Sequence, residues 1–252
     1  MASAKAARAA PARPDYGIDA PGVVKKMFVR GSVILAIGLL LFFVNDSTYP
    51  HAAASLLAAL GAIGAAYLLA GGVMIWSSKT AKLGVRDRLL DAIPWRGDEK
   101  VLDVGCGRGL LLIGAARRIK SGKATGVDIW SAADLSGNHP DNTLSNAKAE
   151  GVADRVKLDE ADARKLPAGA GTCDVVVSSL AIHNIPGAEE RKKALAEILR
   201  VTKPGGHIAI FDIVHTGAYE KYLAGHGCEP VARSGLSFLW CMPTRWFVVR
   251  KK

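Results

Sequence analysis

Two long apolar runs constrain this chain more than any other feature. Met27–Val44 reads MFVRGSVILAIGLLLFFV, with Arg30 near its start, and Ala52–Trp76 reads AAASLLAALGAIGAAYLLAGGVMIW, with no charge at all. A helix needs about 20 mostly apolar residues to cross a hydrocarbon core, so the second run is long enough and the first is just adequate if Arg30 snorkels. The link Asn45–His51, NDSTYPH, is polar, turn-forming and free of Lys and Arg. Basic residues crowd the outer flanks, at Lys25, Lys26 and Arg30 and at Lys79, Lys82, Arg86 and Arg88. The positive-inside bias therefore predicts a two-pass hairpin over residues 27–76, with both ends in the cytoplasm. A cleaved signal peptide fits poorly, because the first run starts late and no clear A-x-A site precedes the second. A buried soluble helix pair is the competing reading.

Small residues at Ala54, Ala58, Gly61, Ala65 and Gly72 recur along the second run. Such a strip would let it pack closely on the first span or on another copy, giving self-association, or it reflects an alanine-rich composition. The leader, residues 1–26, is Ala/Pro-rich and basic, and disorder is expected there.

Charge is unevenly spread. Met1–Arg30 holds six basic residues against two acidic ones, Gly31–Trp76 holds only Asp46, and half of the +10 net charge lies before residue 101. A basic flank beside an apolar segment is explained by membrane orientation and anionic headgroups, so no nucleic-acid partner is expected. The four cysteines, Cys106, Cys173, Cys228 and Cys241, include no C-x-x-C pair. Neither a disulfide frame nor a metal site is indicated.

From Ser77 to Lys252 the pattern changes to that of one α/β domain. Lys79–Trp95 has helical spacing before Pro94 stops it. Strands are then predicted at 100–104, 123–128, 155–159, 173–178 and 206–213, alternating with helices at 109–119, about 140–150 and 188–201. Such alternation implies βαβ units and a doubly wound, mostly parallel sheet covered on both faces. After a helix near 218–225, Ser234–Trp240 and Arg245–Lys251 flank CMPT and read as a β-hairpin. In open parallel sheets, ligands bind beyond the carboxyl ends of the strands.

The first strand runs into VLDVGCGRG, Val101–Gly109. A phosphate loop would need GK[ST] after four residues, and a dinucleotide fingerprint would need glycine where Leu110 stands. The sequence D-x-G-x-G-x-G, Asp103 to Gly109, resembles instead the hallmark of the class I S-adenosylmethionine-dependent methyltransferases. That resemblance extends over about Lys79–Lys252 through Asp128, Asp162, Asp174, Lys203-Pro204-Gly205-Gly206 and the closing hairpin. It implies a seven-stranded Rossmann-like sheet with an antiparallel last strand, and S-adenosylmethionine as cofactor.

By that resemblance Gly105, Gly107 and Gly109 line the methionine and ribose portions, with Cys106 between them offering backbone, and Asp103 orients the loop and the amino group. Asp128 would take the ribose hydroxyls, Ile129 and Trp130 would flank the adenine, and Asp162 with Ala163 would contact its edge. Trp130 would equally serve ordinary packing, and Asp162 a helix start. Ser178, Ser179, His183 and Asn184 after the fourth strand, and Asp212 and His215 after the fifth, are the polar groups available to an acceptor. His183 resembles the histidine that faces the pocket in many small-molecule members and is the catalytic candidate; a loop histidine bonded to backbone is its other reading.

The stretch Trp130–Asn142, longer than usual for its place, is either an active-site lid or a surface excursion. The expectation is a membrane-anchored methyltransferase acting on a small-molecule or lipid-like acceptor. The alternative is a non-enzymatic membrane module that binds the cofactor as a sensor or scaffold.

Overall fold

The computed structural model describes residues 13–45, 48–132 and 134–252. The two apolar runs form antiparallel helices, α1 (Pro21–Asn45) and α2 (Pro50–Trp76). Both are long and apolar enough to cross a membrane, and they leave large side chains such as Leu40, Phe43 and Leu69 exposed. Glycines set their approach. A Cβ on Gly31 would lie 2.9 Å from the Gly64 carbonyl oxygen, one on Gly64 would lie 2.6 Å from Leu35, and one on Gly71 would lie 2.9 Å from the Phe28 ring. The strip read from the sequence is not this seam. Gly61 and Gly72 face open space, because the seam runs through residues one or three positions away on the helix.

The second helix does not stop at the end of its apolar run. A single wider turn, Ser77–Ala81, carries it into α3 (Lys82–Asp91), so one rod runs from Pro50 to Asp91. Wider turns of this kind tend to fall at functional places. Here the turn brings Ser77 and Ser78, both buried, against the far end of the chain: Trp240 donates its backbone N–H to Ser77 Oγ (3.3 Å) and its indole N–H to Ser78 Oγ (2.9 Å).

The remainder is a sheet of eight strands in the order β3-β2-β1-β4-β5-β8-β6, with the short β7 paired to β8. The strands are β1 (Lys100–Val104), β2 (Lys123–Asp128), β3 (Val156–Glu160), β4 (Cys173–Ser179), β5 (Thr202–Asp212), β6 (Cys228–Arg233), β7 (Ser237–Leu239) and β8 (Met242–Lys251). All neighbours from β3 to β5 are parallel, and β8 lies antiparallel between β5 and β6. Helices α4 (Leu110–Ala116), α5 (Pro140–Ala149), α6 (Ala188–Val201) and α7 (Thr216–Gly225) complete the fold.

Two expectations about the C-terminal end need correction. The seven-stranded path with an antiparallel last strand is present, but a short eighth strand pairs onto it, and the edge strand beyond the last one is Cys228–Arg233, which Glu229 and Pro230 disguise. The predicted hairpin exists, but its first arm is only the three-residue β7.

Period-two alternation splits the core. Val101, Val175, Val177 and Phe211 pack with α3 and α4 on one face, while Leu102, Val104, Val176 and Ile210 pack with α6 and α7 on the other. Lys203–Gly206 bulges between the pairings Cys173↔Thr202 and Val175↔His207, with Gly205 at φ +78°. Asp174 accepts from Lys203 Nζ (2.8 Å) and the Lys100 N–H (2.9 Å) at the end of the sheet away from the glycine loop, and its role is structural.

The leader also departs from expectation. Residues 1–12 lie outside the described part, but 13–26 are ordered: Pro21 starts α1, and the preceding residues form a strap across the domain. Asn146 holds the strap by a reciprocal pair, accepting from the Asp15 N–H and donating to the Asp15 carbonyl, both at 2.8 Å. Tyr16 is buried and donates to Glu150 Oε1 (3.2 Å). Ile18 exchanges bonds with Ser136, its N–H to Oγ (2.7 Å) and its carbonyl from the Ser136 N–H (3.0 Å).

Candidate active site

The glycine loop forms where β1 must turn sharply at its carboxyl end. The Gly105 and Cys106 N–H groups both donate to the Val127 carbonyl (2.8 and 3.0 Å), which pins the loop to β2. Gly105 sits at φ +71°, and a Cβ there would lie 2.2 Å from Ala181 Cβ. Both the backbone conformation and the space therefore demand glycine. Gly107 (φ +49°) donates its N–H to Asp128 Oδ2 (2.7 Å), and Gly109 (φ +87°) precedes α4.

Asp103 does what a loop-orienting acid should do with one oxygen: Oδ2 accepts the Leu112 N–H at 2.8 Å. Its other oxygen, Oδ1, is buried without a hydrogen-bond partner. Burial pushes the Asp103 carboxyl up to about 8, with the Asp128 charge adding to the rise and the Leu112 N–H opposing it. A buried carboxylate oxygen with no partner is costly, and a cationic group placed against it removes that cost.

These residues line one cavity of about 810 Å³. Asp103, Gly105, Cys106, Gly107, Asp128, Ile129, Asp162, Ala163 and His183 all face it. Gly109 and Ser178 do not. Gly109 shapes the loop, and the Ser178 hydroxyl is spent on the Val104 carbonyl (2.7 Å) on the opposite face of the sheet. Its neighbour Ser179 lines the cavity instead. Trp130, at φ +57°, is half-buried against the core and does not line the cavity, so of the pair only Ile129 does, 63% exposed. The Asp162 carboxylate accepts from Arg164, which holds its pKa below the usual carboxylate range. His215 is not among the lining residues.

His183 follows β4 in a short turn. Its N–H donates to Asp212 Oδ2 (3.2 Å), and its Nδ1 lies 2.6 Å from Asp212 Oδ1, off the line of a full hydrogen bond. Asp212 is 1% exposed and also accepts the Ile213 N–H (2.8 Å). A buried carboxylate beside Nδ1 leaves Nε2 as the nitrogen available to a reacting partner.

Other lining residues are not foreseen in the sequence, save those of the 130–142 loop, for which a place at the active site is one of the two readings. The strap contributes Tyr16, Asp19 and Ala20, and the 130–142 loop contributes Ser131, Asp134, Leu135 and Asn138. That loop is therefore part of the cavity wall. The apolar helices contribute Val23, Met27 and Met74, and the β7–β8 turn contributes Trp240, Cys241 and Met242. Lys82, 2% exposed, also lines the cavity and ties the strap down, donating to the Tyr16 carbonyl (2.9 Å) and Asp19 Oδ2 (3.0 Å). A signal for the strap was present in Asp15-Tyr16-Gly17-Ile18-Asp19, an apolar and acidic interruption of the Ala/Pro leader.

Residues 102–210 match the family model described as a methyltransferase domain. The chain is similar to methyltransferase GfsG of Streptomyces halstedii, 32% identical over 134 residues that make up 53% of this chain and 45% of that protein. It is 28% identical over 162 residues to the ubiquinone/menaquinone biosynthesis C-methyltransferase UbiE of Cereibacter sphaeroides, covering 62% of this chain and 58% of that protein. The chain thus spans about half the length of these curated relatives. Among solved structures, geranyl diphosphate C-methyltransferase of Streptomyces coelicolor, in complex with S-adenosyl-L-homocysteine, superposes with a TM-score of 0.55 at 14% identity, over 68% of this chain and 81% of that one.

In fold, glycine loop and the match over residues 102–210, the chain is similar to the S-adenosylmethionine-dependent methyltransferase domains. In this protein the domain is joined to a strap and two long apolar helices, all outside the matched residues. The site fits the cofactor: Asp103 Oδ1 is a buried acceptor without a partner, and beside it Gly105 and Gly107 line the cavity with bare backbone.

Proposed function

We propose that this chain is a membrane-anchored S-adenosylmethionine-dependent methyltransferase acting on a small-molecule or lipid-like acceptor. One observation carries the reading. The glycine loop, His183 with Asp212 buried behind it, and the ends of both apolar helices meet at the same cavity, which His183 lines and Asp212 does not. An anchor that only tethered the domain would have no reason to contribute wall residues.

Asp103, through Oδ1, and the loop around Gly105 and Gly107 would hold the amino-acid part of the cofactor. Asp128 would take the ribose, and Ile129, Asp162 and Ala163 would border the base. When bound, the sulfonium supplies an activated methyl carbon whose bond to sulfur breaks as the acceptor's bond to carbon forms. What remains for the protein is alignment and proton removal. His183 takes the acceptor proton at Nε2 as the new bond forms, and Asp212 stabilises the resulting imidazolium from the Nδ1 side. The names of relatives that act on prenylated or quinone-type molecules support an acceptor of modest size with apolar character.

The test is methyl transfer itself. The full chain in membranes, given S-adenosylmethionine labelled in the methyl group, should label an organic-extractable small molecule or lipid. Label confined to protein or nucleic acid, or absent from every fraction, would overturn the reading.

A further inference from the structure

The cavity wall reaches the level at which the two helices would leave a bilayer. On α1, exposed Lys25 and Lys26 give way at Met27 to the apolar run; on α2 that run ends at exposed Trp76, followed by the buried Ser77 and Ser78 and then exposed Lys79. Lysines flanking an apolar span, with an aromatic residue at its end, mark the headgroup boundary. Met27 and Met74 lie on that boundary, and both line the cavity.

Two further lining residues mark a rim at the same place. Val23 is 45% exposed and Met242 is 41% exposed, so each faces both the cavity and the outside. Met242 is held at this level because Trp240, two residues before it, is bonded to Ser77 and Ser78. The adjoining β7 segment adds exposed Leu236 and Phe238. Apolar side chains exposed beside a bilayer boundary are stable there and costly in water. Methionine, unbranched and adaptable, suits a wall that must accept a flexible chain.

We infer that the acceptor is a bilayer-resident amphiphile. It enters sideways at headgroup level between Val23, Met27, Met74 and Met242, leaving its tail among those side chains while its polar end reaches His183. This rests on the membrane-anchored reading above and narrows it to a route and a substrate class. Ile129, the exposed lining residue next to Asp128, then marks a separate rim on the aqueous side, so cofactor and acceptor need not share an entrance.

Photolabelling separates the two levels of the argument. The full chain is reconstituted in phosphatidylcholine vesicles containing a trace of a long-chain fatty acid with a diazirine in its chain, illuminated and mapped by mass spectrometry. Label is expected on Met27, Met74 and Met242 as well as on the outward-facing Leu40, Phe43 and Leu69. Met74→Trp, which fills the rim, should reduce the first set at least fivefold and leave the second unchanged; Met242→Lys provides an independent block. Label on the outward residues alone in the wild type overturns lateral entry while leaving the anchor intact. Label on neither set overturns the anchor and the inference together.

Discussion

Lys82 Nζ and Asp19 Oδ2 stand 3.0 Å apart, joining the helix that extends the second apolar run to the strap that precedes the first. Lys82 is 2% exposed and its pKa is lowered by burial, with Asp19 opposing the shift. Removing one partner of a buried pair strands the other, at about 3–5 kcal/mol. Asp19 is one-fifth exposed, so the lower end of that range applies. Lys82→Met should free the strap, seen as faster proteolysis within residues 13–20 and a lower melting temperature.

Asp103 makes stability depend on pH in a direction opposite to that of most carboxylates. Its folded value is about 8 against 3.8 for the free group, so between those limits the folded chain holds a proton that the unfolded chain has released. Stability without cofactor therefore falls as pH rises through this window, by at most about 1.4 kcal/mol per pH unit. Asp103→Asn should flatten that slope in denaturant titrations at several pH values. In the wild type, a cationic amino group docking on Oδ1 should expel up to one proton near neutral pH. Calorimetry of S-adenosylmethionine binding in two buffers of different ionisation enthalpy would count it.

Gly105→Ala should abolish cofactor binding. A non-glycine residue at this φ carries about 1–3 kcal/mol of strain, and the methyl group would also collide with Ala181. The variant Ala181→Gly in the same chain relieves the collision but not the strain, so calorimetry should show partial recovery. Full recovery would mean that space alone sets the glycine.

Asp212→Asn tests the proton path. The side chain keeps its size and can still accept from Ile213, but loses the charge that stabilises protonated His183. The labelled-methyl assay should show a fall of about 10²–10⁴-fold in kcat, the usual reach of a general base, with cofactor affinity unchanged. His183→Ala should show a fall of similar size in the same assay. Adding Asp212→Asn to that variant should cost little more, because the two residues act as one unit.

The first half of the sheet and the glycine loop were legible in the sequence because their signals are local. An apolar strand, an acid and alternate glycines all fall within Val101–Gly109, and Asp128 follows at the end of the next strand. What escaped is long-range. The clamp between Asp15 and Asn146, 131 residues apart, leaves no periodic trace. The same is true of the bonds that join Trp240 to Ser77 and Ser78. Parity would have separated Ser178 from Ser179: Val175 and Val177 pack on the face that Asp103 shares, so the odd-numbered serine looks toward the cavity. Strand β6 was hidden because proline and glutamate weaken strand preference, and pairing with β8 overrides it.

The rod from Pro50 to Asp91 has a mechanical consequence. At about 1.5 Å per residue its 42 residues reach some 63 Å, twice the thickness of a hydrocarbon core. In the membrane-anchored reading proposed above, a tilt of the upper part is passed through the Ser77–Ala81 turn to Lys82 and the strap beside the glycine loop. On the proposed anchoring, bilayer thickness becomes an input to the geometry of the cavity, with the helix as its lever.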